Sequence, residues 1–240
     1  MKYVTAELGQ GVYAIAIEDK GTWDTPTYAN LYVVKRQGQV IMIDAGLPAY
    51  KAVVETALGK IGIKPSDVTR VLLTHGHGDH SAGASLFREA KKYVHPLDAS
   101  LVYCKLRPEF KSYTQGKNAN SFFAEGLDDF EVMHVGSHTP GSVVIYDQVS
   151  RVMFAGDFFC YFGEELPEGK LVSFAENCRQ ASYQYVADQA AGGGSEAAAF
   201  KTGMERLLSY RPDFFCTGHG VILQGEIHEF LQGLWNSTRK

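Results

Sequence analysis

The sequence predicts an α/β (α+β) chain in which sheets are covered by helices. Two observations carry this. Short runs rich in Val, Ile and Tyr recur between turn residues, both in the first half and again after residue 130. Stretches with helical apolar spacing follow each group of strands. A third observation sets the scale: 240 residues and 26.4 kDa can bury a sizeable core without disulfides.

Taken in order, "GVYAIAIE" (11–18), "NLYVVKR" (30–36) and "QVIMIDAG" (39–46) read as strands. Gln37 and Gly38 separate the last two as a hairpin turn would. From Pro48 to about Ile61 the spacing turns helical, with Val53, Val54, Ala57, Leu58 and Ile61 on one face. "VTRVLLTH" (68–75) reads as a buried strand with a polar end, followed by a helix from about His80 to Ala90. "KKYVHP" reads as a short strand, and "PLDASLVYC" as a helix opened by Pro96. Strands resume at 130–135, 142–148 and 151–157. Helices are expected over 174–190 and 196–210, joined by the loop "AAGGGSE". A strand at 213–218 and a last helix from about Gly225 complete the pattern.

Segment 103–128 resists this treatment, having breakers, charges and aromatics without a period. Tyr103, Phe110, Tyr113, Phe122 and Phe123 alternate there with Lys105, Arg107, Lys111 and Lys117. It reads as a lid for an anionic acyl substrate or as a helical insertion with core aromatics.

Hydrophobic residues make up 45% and charged residues 21%, ordinary for a soluble globular protein. A net charge of −4 disfavours nucleic acid or an anionic membrane as partner and leaves a small-molecule substrate as the expectation. Assembly into oligomers is left open. "MKYVTAELGQG" has no signal-peptide core, and no run approaches the roughly 18 apolar residues of a membrane span. Cys104, Cys160, Cys178 and Cys216 are scattered without a CxxC pair, as reduced thiols in a cytoplasmic chain would be.

The chemistry concentrates in "RVLLTHGHGDHS" (70–81), where His75, His77, Asp79 and His80 fall within six positions at a strand end. Imidazole and carboxylate are the donors zinc takes when thiolate is absent, and iron and manganese accept the same set. A tight loop of this spacing can aim two ligands at one metal and two at a neighbour. Three further ligand-type residues stand at strand ends among small neighbours: His138 in "VGSHTPGS", Asp157 in "MFAGDFF" and His219 in "FFCTGHG". His95, His134 and His228 lack that setting and read as structural or surface histidines.

These residues resemble the metallo-β-lactamase-fold superfamily, whose HxHxDH signature stands here as His75-Gly-His77-Gly-Asp79-His80. Asp44 in "IDAG", His138, Asp157 and His219 follow the family's other motifs in order, from about residue 11 to 224. The resemblance implies a four-layer αββα sandwich forming a single domain over 1–240, with the site along one edge of two sheets. It implies His75, His77 and His138 on one metal, Asp79, His80 and His219 on a second, and Asp157 bridging. Asp44 would order the metal loop by hydrogen bonding.

Two divalent ions, zinc first and iron or manganese as substitutes, would hold a hydroxide between them. The activity implied is hydrolysis of a small ester, thioester, lactone or related bond, with Asp79 taking up a proton. A bridging aspartate sets the chain nearer the glyoxalase-II and lactonase branches than the β-lactamases. Lactonases of this fold place a tyrosine shortly after that aspartate. Tyr161 stands four residues beyond Asp157, one position off that pattern, as a candidate donor to an oxyanion. The alternative within the fold is a persulfide dioxygenase holding one iron through His75, His138 and Asp157. Flavodiiron oxidoreductases fit less well, since they carry glutamate where this chain has His77.

Overall fold

Alternation along the first strands decides the architecture. The protein is described by a computed structural model covering residues 1–36, 38–163 and 165–239. In β2 (Val12–Asp19), Val12, Ala14 and Ala16 belong to one apolar cluster, whereas Ile15 and Ile17 belong to another. β3 (Thr27–Arg36) repeats this with Tyr32 and Val34 against Leu31 and Val33. So does β4 (Gln39–Ile43), with Ile41 and Ile43 against Val40 and Met42. Successive side chains point to opposite faces, so strands buried on both must lie between two other layers.

Among the described residues one sheet has seven strands in chain order. It runs from β1 (Tyr3–Glu7) through β2, β3 and β4 to β5 (Arg70–Leu72), β6 (Lys91–Val94) and β7 (Phe110–Ser112). Its outer face is covered by α1 (Lys51–Lys60) through Val54, Ala57 and Leu58.

The second sheet holds β8 (Thr114–Gln115), β9 (Ser121–Phe123), β10 (Phe130–His134), β11 (Val143–Asp147) and β12 (Val152–Gly156) side by side in sequence. β14 (Phe214–Thr217), β15 (Ile222–Gln224) and β13 (Val172–Ser173) extend it beyond β12. On β14 the alternation is again two-sided. Phe215 packs 5.8 Å from Phe230 of α5 (Ile227–Ser237), while its neighbour Cys216 lies against Tyr32 of the first sheet. α3 (Glu176–Gly192) and α4 (Ser195–Leu207) complete that outer layer. Both sheets are mixed, and Arg36 joins them by donating to both carboxylate oxygens of buried Asp147 at 2.8 Å.

Most expected elements are found within a few residues. β3 and β4 pair with Arg36 opposite Gln39, as the hairpin expectation requires, although Gln37 lies outside the described residues. Two helices fall short. The one expected from His80 to Ala90 is a single turn, α2 (Gly78–Ser81), followed by a 3-10 stretch Ala82–Leu86. Here the backbone is diverted to the end of β4: Ala45 N–H donates to His80 O, and Gly83 N–H to Gly46 O. The helix expected at 96–104 is only a 3-10 turn, Pro96–Asp98, because Arg107 takes the carbonyls of Ser100 and Val102.

Within segment 103–128, β7 closes the first sheet while β8 and β9 close the second, so no helix forms there beyond a 3-10 turn at Arg107–Glu109. The chain changes sheets at Tyr113, which is buried and donates its hydroxyl to Leu73 O at 3.0 Å. Strands of two or three residues leave no readable period. Among the described residues no helix is long and apolar enough to cross a membrane, and no disulfide links the cysteines.

Candidate metal centre

Strand direction gathers the ligand-type residues. β4 and β5 are parallel with Ile43 opposite Leu72, so Asp44 and His75 leave the first sheet at the same end. β12 and β14 are parallel too, which brings Asp157 beside Gly218 and His219. β11 runs antiparallel to β12, so His138, just before it, reaches that end as well. Val143 N–H donates to Thr74 O at 2.8 Å and joins the two sheet ends directly.

The approach is close enough to dictate glycine. A Cβ on Gly218 would lie 2.0 Å from Asp157 Oδ1, and one on Gly156 2.3 Å from Thr74 Oγ1. Asp44 and His138 adopt positive φ values of 59° and 76°, conformations that non-glycine residues hold only where surrounding structure enforces them.

Two groups of donors result. In the first, His75 Nε2 lies 3.1 Å from His77 Nδ1, which lies 3.0 Å from His138 Nε2. The second comprises Asp79, His80, Asp157 and His219, one donor atom of each lying within 4.8 Å of the others. His219 Nε2 is 3.2 Å from Asp79 Oδ2, and His80 Nε2 is 3.4 Å from the same oxygen. Asp157 touches both groups, with Oδ1 3.4 Å from His80 Nε2 and Oδ2 3.5 Å from His138 Nε2.

Outer hydrogen bonds fix which ring nitrogens face inward. His80 Nδ1 lies 2.9 Å from Asp44 Oδ2, and a carboxylate can only accept, so Nδ1 carries the proton. His219 Nδ1 donates to Tyr28 O at 3.2 Å. Thr74 Oγ1 donates to Asp44 Oδ2 at 2.8 Å and therefore accepts from His75 Nδ1 at 3.2 Å. In the neutral rings of His75, His80 and His219 the inner nitrogen is then the one with the lone pair, the state a metal ligand requires.

Electrostatics separate His75 from His80 in the metal-free site. Burial, together with neighbouring His80, pushes His75 well below the ordinary histidine range. Burial also opposes charge on His80, but Asp157 and Asp44 outweigh it and hold that ring well above the usual value. Burial opposes the charged forms of Asp79 and Asp157 too. For Asp79, the adjacent His219 and His80 rings overcome it; for Asp157, chiefly the charge of His80 does, so both carboxyls stay ionised.

The donors fit a cation. His80 Nε2, His219 Nε2 and Asp157 Oδ1 are buried without a hydrogen-bond partner in the protein. Such groups are costly unless something neutralises them. In the first group, three converging imidazole nitrogens about 3 Å apart repel one another unless a positive charge sits among them.

Residues 24–219 match the family model of the metallo-beta-lactamase superfamily, and that span includes both donor groups. The chain belongs to this superfamily. A probable metallo-hydrolase of Bacillus subtilis is 22% identical over 249 residues, covering 92% of this chain and 88% of its own. An acyl-coenzyme A thioesterase of Gallus gallus is 24% identical over 207 residues, covering 72% of each chain. A mutant flavo di-iron protein from Thermotoga maritima superposes with a TM-score of 0.75 at 17% identity. It matches 99% of this chain, which spans 62% of that longer protein. At such identity the likeness concerns the metallo-β-lactamase fold, and this superfamily member has its His/Asp cluster at the sheet ends described above.

Two important residues had no assigned role in the sequence. Thr74 relays Asp44 to His75, and its only signal was its position before the signature. Asp98 accepts from Gly76 N–H at 2.9 Å, from Thr139 Oγ1 at 2.6 Å and from Gly141 N–H at 2.6 Å. It thereby ties the His75–His77 loop to the His138 loop, a role invisible without the tertiary fold. His95 and His134 stack on each other at 4.4 Å, and His228 Nδ1 lies 3.2 Å from Tyr210 O; none joins a donor group.

Trp23 and Phe162 pack edge-on against the His219 ring at 5.4 and 4.9 Å. Beside His138 and Asp157 a cleft of about 460 Å³ opens along α3 and α4, and none of its described lining residues comes from 103–128. Tyr161 lies in its wall, with its hydroxyl 3.2 Å from Ser182 Oγ. Ser182 donates to Cys178 O at 2.6 Å, so it accepts the proton of Tyr161.

Proposed function

We propose that the protein is a hydrolase that uses two divalent metal ions, zinc in the first instance, to cleave a small ester, thioester, lactone or related bond. The observation that carries this reading is Asp157, whose two oxygens approach nitrogens of both donor groups. A carboxylate placed this way can serve two neighbouring ions at once. The printed names of the metallo-hydrolase and thioesterase relatives support hydrolysis as the reaction class.

In this reading His75, His77 and His138 hold one ion, Asp79, His80 and His219 hold the other, and Asp157 serves both. When bound, such ions bring the pKa of water toward about 7 and polarise a carbonyl oxygen. Asp44, Thr74 and the Tyr28 carbonyl keep the outer ring nitrogens protonated, so the inner nitrogen is the one each ring offers; at His80 a cation would displace the proton that Asp157 and Asp44 favour. Asp79 is the more accessible carboxylate, its side chain 20% exposed against 10% for Asp157. It takes up the proton released at the site and returns it to the leaving group. Tyr161, held by Ser182, shapes the cleft wall.

Metal analysis of freshly purified protein tests the reading. About two zinc or manganese per chain, with turnover of an ester, thioester or lactone, is the expected result. About one iron per chain, with oxygen uptake on a persulfide and no hydrolysis, overturns it in favour of a dioxygenase.

A further inference from the structure

The cleft beside the donor groups has a chemical character of its own. Phe158 and Phe159 follow Asp157 directly in the chain, so its aromatic wall begins at the bridging carboxylate. Phe158 stacks on Phe200 of α4 at 5.0 Å and 20°, and Phe159 lies 6.1 Å from Phe200 and 5.8 Å from Tyr161. Val186 of α3 and Ala197 of α4 extend the apolar surface. Such interlocked rings form a rigid wall rather than an adaptable one. Its volume falls in the range of small-molecule sites.

Charge narrows the occupant. No lysine or arginine lines this cleft among the described residues. Its carboxylates there are Asp157 and Glu196, the latter exposed in the first turn of α4. An anionic tail entering from the metal end would meet Glu196 and find no cation to offset it.

We infer that the cleft binds a neutral, apolar acyl chain of medium length, held against the Phe158–Phe200 wall with its carbonyl end at the donor groups. The inference rests on the hydrolase reading for the bond that is cut, but not for the binding of the chain. Ester or thioester substrates would then be chosen by their acyl part.

Calorimetric binding of straight-chain carboxylates to the zinc-loaded protein is the test. From acetate through butanoate and hexanoate to octanoate, affinity should rise about three- to fourfold per methylene. Suberate, a dicarboxylate of octanoate's length, should bind at least about tenfold more weakly than octanoate. Ala197→Trp fills the cleft and should erase the gain from added methylenes. Ala181→Trp, at an exposed position of α3 lining the same cleft, is the second filling variant should the first fail to fold. Glu196→Lys should shift preference toward suberate. A level series from acetate to octanoate, with zinc content and circular dichroism intact, overturns the inference; so does a folded filling variant that keeps the full gain. A rising series without hydrolysis of octanoyl esters upholds the inference and removes the hydrolase reading. Hydrolysis of acetyl and octanoyl esters at equal kcat/KM with level binding does the reverse.

Discussion

Asp44 reaches one histidine of each donor group, His80 directly and His75 through the Thr74 hydroxyl. Replacing Asp44 with Asn leaves both rings in place but removes the charge that fixes their tautomers. Zinc affinity, measured by competition with a chelator, should fall about 10- to 100-fold in Asp44→Asn. Thr74→Val should fall less, because only His75 loses its outer partner; equal affinity for all three proteins would refute the relay. Tyr161 makes a contrasting case. Its proton is committed to Ser182, so Tyr161→Phe should keep kcat within about threefold of the parent. A loss of about 10²–10³ would instead mark it as an oxyanion donor.

Among elements, β6 and β10 end in stacked histidines, His95 just beyond β6 and His134 closing β10. Burial, assisted by the neighbouring His134, lowers His95 from 6.5 to about 4. An unfolded chain binds a proton below about 6.5 that the folded one refuses until about 4. Stability present above pH 6.5 is therefore lost as pH falls toward 4, by up to about 3 kcal/mol, and changes no further below that. Urea unfolding of the metal-free protein should show this decline, and His95→Gln should flatten it. A variant as steep as the parent would assign the slope elsewhere. The Gly-rich turn at 192–194 likewise matters as an element, since it folds α4 back beside α3 and so forms the cleft.

For the molecule as a whole, the donors belong to both sheets, so bound metal ties the two halves of the sandwich together. Ligands that bind only the folded state stabilise it by mass action, about 4 kcal/mol at a thousandfold excess over Kd. Stripping metal with a chelator should lower the melting temperature by several degrees, and added zinc should restore it. The His77→Ala, Asp157→Ala double variant, which removes a donor from the first group and the shared carboxylate, should show a smaller zinc-dependent rise in melting temperature than the parent. A metal-insensitive parent would mean that the two donor groups do not join the sheets through a cation.

Much of this was legible before any fold was known. Donor identity is covalent, so His75, His77, Asp79, His80, His138, Asp157 and His219 could be named from their local setting, and the Val-, Ile- and Tyr-rich runs of β2 to β4 marked strands. The structure brings those seven donors into two adjoining groups. Other features could not be read. The helices at 80–90 and 96–104 gave way because the chain near Gly83 and Ser100 found better hydrogen-bond partners outside its own helix. Asp98, Thr74 and the sheet change at Tyr113 depend on contacts between residues distant in sequence. The sequence by itself determined which atoms can bind a cation. Only the tertiary structure decided that His75 and His219 meet at one sheet edge, which ring nitrogens face inward, and that a cleft with an aromatic wall adjoins them. Spacing along a chain constrains neighbours, whereas distances across two sheets follow from strand direction and packing.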